Sequence, residues 1–474
     1  MTLLEHLENY NNKKVTPLHM PGHKRNIKFA EYLEKLGVEY DFTEIYSMDD
    51  LHEPQEIIKD CQQNAQAVWG SKQSYFLVNG STSGILAGIR ACTKANDKVL
   101  VARNCHKSIY NAIELCNLIP KYIVPNLLEN LPAYSSVNPK MIYNALNESF
   151  SKREKISLII LTSPTYEGVI SDIKSIADIA HSFGVPVLID EAHGSHLDIS
   201  EFFTYGAVKA GADIIIQSLH KTLPSLTQTA LVHLNSNIIK QEQLQRQLSI
   251  FQTSSPSYLL MSSIDSCIRF VQENKELFSN WNDNLLYFKN KVASLKKLSI
   301  LSYTISDNFY AFDNSKIVIS TVGTSINGSQ LMDILRTQYN IELEMCSADY
   351  VIAMTSVADP KENLEVLANA LIEIDKSIFK VNRDILFTTI SELPPISKTI
   401  LDSVYSETEE VEVSRSIGKI SAEYIWVYPP GIPIITPGEI ITKNTINAVK
   451  TAIECNLNLQ KTLSDTPNKI SVIV

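Results

Sequence analysis

The sequence predicts an α/β protein whose core is a mainly parallel sheet covered by helices, with smaller α/β parts toward its C-terminus. Three observations predict this. Short runs rich in β-branched residues alternate with segments of helical spacing between residues 75 and 234. Those runs are apolar throughout instead of alternating, as strands buried on both faces are. Three of them lead directly into polar, chemistry-bearing clusters.

Residues 75–79 form a short apolar run that ends at the turn Gly80-Ser81-Thr82-Ser83, and helical spacing follows over 82–94. Residues 98–102 are apolar again, with a helix-like stretch over 106–115, and 158–162 is a third strand. Residues 172–182 are amphipathic, with Ile173, Ile176, Ile179 and Ala180 on one face. Residues 185–190, 213–218 and 229–234 complete the set. Ligands in such sheets bind beyond the carboxyl ends of the strands, where the clusters 80–83, 190–193 and 218–221 fall. The pattern changes near residue 280. Residues 281–295 look helical, shorter strands alternate with helices over 299–375, and 376–410 reads as a mixed connector leading into the acidic stretch 407–412. Tyr428-Pro429-Pro430-Gly431-Ile432-Pro433 is a rigid loop too apolar to be a linker.

A chain of 474 residues suits two or three packed domains. Charged residues are 20%, and the net charge of -10 argues against a nucleic-acid surface, which needs clustered Lys and Arg. The seven cysteines are odd in number and form no CxxC pair, which argues against a disulfide framework or a zinc site, so no metal is expected. The first 14 residues lack an apolar signal region and no run of about 18 apolar residues occurs. The expected location is therefore the cytoplasm, away from the membrane.

Lys221 lies in Gln217-Ser218-Leu219-His220-Lys221-Thr222, just after a buried strand. An amine fixed there is poised to form an imine with an aldehyde cofactor; the plain alternative is a solvated loop lysine. Asp190 ends Val187-Leu188-Ile189-Asp190 and suits a protonated pyridine nitrogen, or else caps the next turn. Asp190-Glu191-Ala192-His193 also matches helicase Walker B segments, but no GxxxxGK[ST] loop accompanies it. At the 80–83 turn, free N–H groups and the hydroxyls of Ser81 and Thr82 make a phosphate cradle, and Ser218 and His220 can add to it. An ordinary N-cap explains the same residues. His106 opens the next helix and either lies flat on a cofactor ring or serves as a cap. Residues 252–258 form a hydroxyl-rich loop, with Ser254 and Ser255, that suits a phosphate or a helix start.

Seven motifs in order resemble the Orn/Lys/Arg decarboxylase family of bacterial pyridoxal 5′-phosphate (PLP) enzymes. They are Leu18-His19-Met20-Pro21-Gly22-His23-Lys24, Asp49-Asp50-Leu51-His52, Asn79-Gly80-Ser81-Thr82-Ser83-Gly84, Arg103-Asn104-Cys105-His106-Lys107-Ser108, Ile189-Asp190-Glu191-Ala192-His193-Gly194, Ser218-Leu219-His220-Lys221 and the Pro-rich loop 428–433. The resemblance runs from about residue 18 to 442. It implies fold-type I, the aspartate-aminotransferase fold, and homodimers or higher assemblies with shared active sites. Lys221 would hold PLP, Asp190 would pair with the ring nitrogen, and His106 would stack on the ring. Ser81, Thr82, Ser218 and His220 would hold the phosphate, and His193 would support the ring oxygen or substrate. The loop 253–257 would reach the phosphate from a second subunit. Lys221 or His220 would return a proton to Cα. The chain looks like the short branch, without the N-terminal wing domain of the large inducible members. It divides into an N-terminal arm (1–60), a large PLP-binding domain (61–297), a small α/β domain (298–375) and a C-terminal domain (376–474).

The activity expected is α-decarboxylation of a basic amino acid in polyamine synthesis, with arginine favoured over lysine and ornithine. A cationic side chain needs an acidic partner; Asp49, Asp50, Glu53 and Glu439 are the candidates, against the plain reading of solvated surface acids. The competing reading is an aminotransferase or another fold-type I amino-acid enzyme, with Arg336 or Arg383 gripping the α-carboxylate. A PLP-binding protein without turnover is a third reading, opposed by the intact set of Lys221, Asp190 and His106.

Overall fold

The computed structural model describes residues 1–13, 15–26, 31–301 and 309–474. Residues 27–30 of the expected arm and 302–308 of the expected small domain lie outside the described residues. The chain gathers into two compact units, each made from two stretches: Met1–Cys92 with Pro186–Ser279, and Thr93–Val185 with Asn280–Val474.

In the first unit, the strands Gln73–Leu77, Ala230–Leu234, Ile214–Ser218 and Val187–Asp190 lie side by side in that order. Ala230–Leu234 runs antiparallel to both of its neighbours, while Ile214–Ser218 and Val187–Asp190 are parallel. Sequence pattern does not report strand direction, so this reversal was not foreseen. The isoleucines Ile214, Ile215 and Ile216 and the run Val187-Leu188-Ile189 are fully buried. Stiff β-branched side chains favour the extended backbone, and each such burial contributes about 1.5–3 kcal/mol. Helix Gly80–Cys92 follows the first strand.

In the second unit, Lys98–Ala102 pairs in parallel with Ile119–Ile123 and Ile156–Thr162. Helices Lys107–Leu115, Pro139–Ser151 and Ile173–Ser182 are capped by His106, Asn138 and Asp172, respectively. A four-stranded antiparallel sheet brings together Ser299–Ile300, Lys316–Ser320, Tyr350–Met354 and Met345–Cys346. The hairpin Ile425–Val427/Ile432–Ile435 carries the Pro-rich loop, and Leu459–Lys461 pairs with its first strand. Ile425, Ile434, Ile435, Val449, Ile470 and Val472 share one core with helix Lys443–Glu454.

The acidic stretch is not the tail of a connector. Thr408–Glu412 is a strand paired with Lys469–Ile473, and its exposed acids face basic partners, Glu409 with Lys419 at 2.7 Å and Glu410 with Lys469 at 3.4 Å. Charged side chains along an exposed edge suit a strand as well as a loop. All seven cysteines are free thiols. Among the described residues no helix is long and apolar enough to cross a membrane.

Gly438 holds φ +87°, and a Cβ there would collide with the Lys398 carbonyl and stand 2.8 Å from Ser403 Oγ. Gly438→Ala is expected to lower stability by about 1–3 kcal/mol, through backbone strain and overpacking, in a urea unfolding series.

Candidate active site

Register places the predicted clusters of the first unit at one edge. Leu77, Ala230 and Ser218 are neighbours across three strands, and Asp190 pairs with Ile216. Because Ala230–Leu234 is the reversed strand, the other three present their carboxyl ends together, as ligand sites in such sheets require. Leu219–Thr222 then makes a single helical turn that carries Lys221. Lys221 Nζ stands 2.9 Å from His193 Nε2. The two nitrogens are within hydrogen-bond reach of each other, so a proton can pass between them. Asp190 is buried, accepts a 3.1 Å bond from Ala192 N, and has its pKa raised by burial against the opposing pull of Lys221.

The same edge holds acceptors and donors of the kind a phosphate uses. Ser218 Oγ is buried with no hydrogen-bond partner among the described residues. Half-buried Ser81 and exposed Thr82 stand on the first turn of helix Gly80–Cys92, where backbone N–H groups lack intrahelical partners. Ser83 turns its hydroxyl back to Gly80 O at 2.8 Å. His220 Nδ1 donates to Thr229 O at 3.0 Å, and burial lowers its pKa, so the ring is neutral and Nε2 is an acceptor. An adjacent phosphate would have to supply the charge that makes this nitrogen a donor. Thr253 N donates to Asn79 Oδ1 at 3.1 Å, which ties the exposed Ser254 and Ser255 to the residue before Gly80 in the same chain. The orphaned Ser218 hydroxyl, the open helix start, and a buried acid beside a lysine fit the phosphate, ring nitrogen and aldehyde of PLP.

A buried relay behind this edge was not foreseen. Gln217 Nε2 donates to Glu191 Oε2 at 2.8 Å, His233 Nε2 to Gln217 Oε1 at 3.1 Å, and Ser74 Oγ to His233 Nδ1 at 2.7 Å. Ala207 N supplies Glu191 Oε1 at 2.7 Å. The one signal in the sequence is a second acid directly after Asp190. Burial pushes His233 down to about 3 and Glu191 up to about 8, so both are neutral near pH 7.

In the second unit, His106 Nδ1 accepts from Ser108 N at 3.2 Å and lies 2.8 Å from Ser108 Oγ. The cap reading of this histidine therefore holds, and it fixes the ring plane. Gly431, at φ +82°, brings the Pro-rich loop against that ring: a Cβ there would stand 3.3 Å from His106 Cδ2 and Nε2. Lys107 N donates to Gly431 O at 3.0 Å.

Two expected substrate acids are corrected. Glu439 is 1% exposed, with Oε1 held by Arg103 Nε at 3.2 Å and Oε2 by Arg103 NH2 at 3.1 Å and Thr436 N at 2.8 Å. Asp49 accepts from the backbone N–H groups of Asp50, Gln55, Glu56, Ile58 and Lys59, so it organises the start of helix Ile57–Trp69. Asp50 is exposed and accepts from His52 N at 2.8 Å. Glu53 lines a surface cleft of about 540 Å³ that none of residues 190–193 or 218–221 lines. The carboxylate-gripping arginines of the aminotransferase reading are also engaged, Arg336 with Glu342 at 2.6 Å and Arg383 with Asp349 at 2.6 Å.

Lysine, aspartate and phosphate cradle at one strand edge define a PLP enzyme of the fold-type I class. The chain belongs to the Orn/Lys/Arg decarboxylase family: the model of its major domain matches residues 1–309, and that of its C-terminal domain matches 392–456. It is a decarboxylase with PLP as cofactor. The arginine decarboxylase of Bacillus subtilis (strain 168) is 30% identical over 476 residues, spanning 98% of this chain and 96% of that protein. YaaO, an uncharacterized protein of the same bacterium, is 33% identical over 470 residues, spanning 96% and 95%. The crystal structure of the Francisella novicida lysine decarboxylase LdcF matches with a TM-score of 0.83 at 17% identity, covering 100% of this chain and 81% of that one.

A carboxyl group whose folded pKa is raised stabilises the fold at low pH, and that stability is lost as pH rises toward the folded value. Between about pH 5 and pH 8, the melting temperature of the wild-type chain should therefore fall relative to that of Glu191→Gln, measured by thermal scans in matched buffers; buried His233, whose lowered pKa makes stability rise with pH, acts alike in both. Separately, Glu439→Ala leaves Arg103 charged and buried without its partner. It should cost about 3–5 kcal/mol in denaturant unfolding.

Proposed function

We propose that this chain removes the α-carboxylate of a basic amino acid as CO₂, with arginine the preferred substrate. The observation that carries the reading is Lys221 Nζ at 2.9 Å from His193 Nε2, on the turn after Ser218 and at the same strand edge as buried Asp190. Full-length similarity to an arginine decarboxylase supports the choice of substrate.

When bound, PLP supplies an aldehyde carbon for an amine and a ring that takes up the electron pair left as CO₂ departs. Lys221 anchors the cofactor and yields its place to the substrate amine. His193, with Nε2 at 2.9 Å from Lys221 Nζ, is placed to exchange a proton with that amine. Asp190, a carboxylate in a dry site, keeps a proton on the ring nitrogen through a charge-assisted hydrogen bond. His106, fixed by its cap to Ser108, presents a flat ring face against which the cofactor is oriented. Ser81, Thr82, Ser218 and His220 take the phosphate. Released Lys221, with His220 as the alternative, delivers a proton to Cα.

The same reading makes the chain a cytoplasmic homodimer whose exposed Ser254 and Ser255 serve the partner's phosphate site. Arg336 and Arg383, both engaged in ion pairs, speak against the aminotransferase alternative.

The test is CO₂ and amine release from arginine, lysine and ornithine by the PLP-loaded protein, with borohydride reduction to trap the cofactor on the chain. The expected outcome is CO₂ with agmatine in excess over cadaverine and putrescine. Lys221→Ala should lose the covalent trap and on the order of a thousandfold or more in rate. CO₂ from none of the three amino acids would overturn the proposal.

A further inference from the structure

Among the described residues, Ala230–Leu234 is the one strand that pairs with Gln73–Leu77, which therefore lies at an edge of its sheet. The ladder ends where Leu77 pairs with Ala230, and residues 78–80 run past it into helix Gly80–Cys92. Backbone groups beyond a ladder still need partners when they are buried. Val78 is 1% exposed, and two glutamines hold it. Gln252, 7% exposed, accepts from Val78 N through Oε1 at 2.9 Å and donates to Phe76 O through Nε2 at 3.2 Å. Its one carboxamide thus serves the C=O of residue 76 and the N–H of residue 78, as one residue of a parallel neighbouring strand does. Gln228 Nε2 donates to Val78 O, and Gln228 O accepts from Gly80 N at 3.0 Å.

These bonds bear on the lysine edge. The carbonyl after Gln228 O is Thr229 O, which accepts from Leu219 N at 3.2 Å and from His220 Nδ1 at 3.0 Å. Adjacent carbonyls therefore hold the start of helix Gly80–Cys92 and the turn of Lys221. Gln252 fixes the segment before that start. Its backbone N donates to Leu248 O at 3.0 Å, at the end of helix Gln241–Phe251, so its side chain reaches the strand from a rigid base. The next residue is fastened as well, with Thr253 N donating to Asn79 Oδ1 at 3.1 Å and His52 Nε2 donating to Thr253 O at 2.8 Å. Every residue of this clamp belongs to the first unit, as do Ser81, Thr82 and Lys221. An amide bonded in a dry place holds its partners more strongly than one in water. That matters for a phosphate held by N–H groups, whose donors have to stay within about 0.5 Å of their working positions.

We infer that Gln252 is a positioning residue for the phosphate cradle: its carboxamide stands in for a neighbouring strand and holds residues 76–80, so that the helix start keeps a fixed reach from Lys221. Asn79 completes the clamp by fastening Thr253. The inference rests on the reading of residues 80–83 as the phosphate cradle. Gln252 touches neither phosphate nor substrate in this role and acts through the backbone N–H groups that it sets. Without its carboxamide, Phe76 O and Val78 N lose a partner in a buried place, and the segment relieves that loss by shifting. Such a shift displaces the donors to the phosphate and leaves the aldehyde end of the cofactor, at Lys221, where it was.

The test is titration of cofactor-free protein with PLP and, separately, with pyridoxal, which carries the same ring and aldehyde without the phosphate. The absorbance of the bound compound gives both Kd values. Gln252→Met keeps the length of the side chain and loses both the donor and the acceptor. Its Kd for PLP should rise by about tenfold or more, while its Kd for pyridoxal stays within about twofold of the wild type. An unchanged PLP Kd in a Gln252→Met protein that melts like the wild type overturns the inference and leaves the cradle reading in place. An equal rise in both constants also overturns it, since that marks a general loosening of the fold. If Gln252→Met does not fold, Asn79→Ala, at an exposed position, carries the test. A severalfold weaker PLP Kd with an unchanged pyridoxal Kd supports the inference there, and any other result overturns it. A wild-type chain that binds pyridoxal as tightly as PLP overturns the cradle reading itself.

Discussion

The buried ion pair of Arg103 and Glu439 is the constraint on which the Pro-rich loop and the His106 ring of the second unit depend. Arg103 is fully buried, and its guanidinium meets the Glu439 carboxylate, Pro433 O, Ile434 O and Tyr110 OH. Burial works against its charge, and Glu439 together with Tyr110 and Tyr122 more than compensates. A charge of this kind survives in a dry interior only when every donor finds an acceptor. The result is a clamp between the segment that carries His106 and the hairpin that carries Tyr428-Pro429-Pro430-Gly431. The clamp sets the loop on the histidine ring.

The first unit solves a different problem, the placement of a lysine, an acid and a phosphate cradle without distorting a sheet. One reversed strand between two parallel ones leaves the carboxyl ends of the remaining strands at one edge. Polar side chains there need no place inside the sheet, because they begin where its apolar run stops. Glu191, Gln217 and His233 brace this edge from within. Their bonds link the loop after Asp190, the strand that ends at Ser218, and the reversed strand. Lys221 and Asp190 thus stand on segments tied to each other by more than the backbone ladder.

Much of this was legible beforehand. The strand runs, the helix starts at Asp172 and His106, and the clustering of 80–83, 190–193 and 218–221 follow from periodicity and turn chemistry, which are local properties. The substrate acids were not legible. Glu439 and Asp49 sit in conspicuous motifs, yet one neutralises an arginine 336 positions away and the other collects backbone N–H groups. Gln252 drew notice only as the first residue of a hydroxyl-rich loop, because a single glutamine carries no periodic or motif signal. Its situation becomes visible only with Phe76 and Val78, 176 and 174 positions away.

By itself, then, the amino-acid order determined the family and the cofactor chemistry, since these reside in short motifs whose residue types have few other uses. The tertiary structure decided strand direction, which acids are engaged and which is left facing a cavity, and the tautomers of His220 and His233. Those depend on partners distant in sequence, and on burial, which turns a carboxyl group into a counter-ion, a neutral hydrogen-bonding group or a surface charge according to what surrounds it.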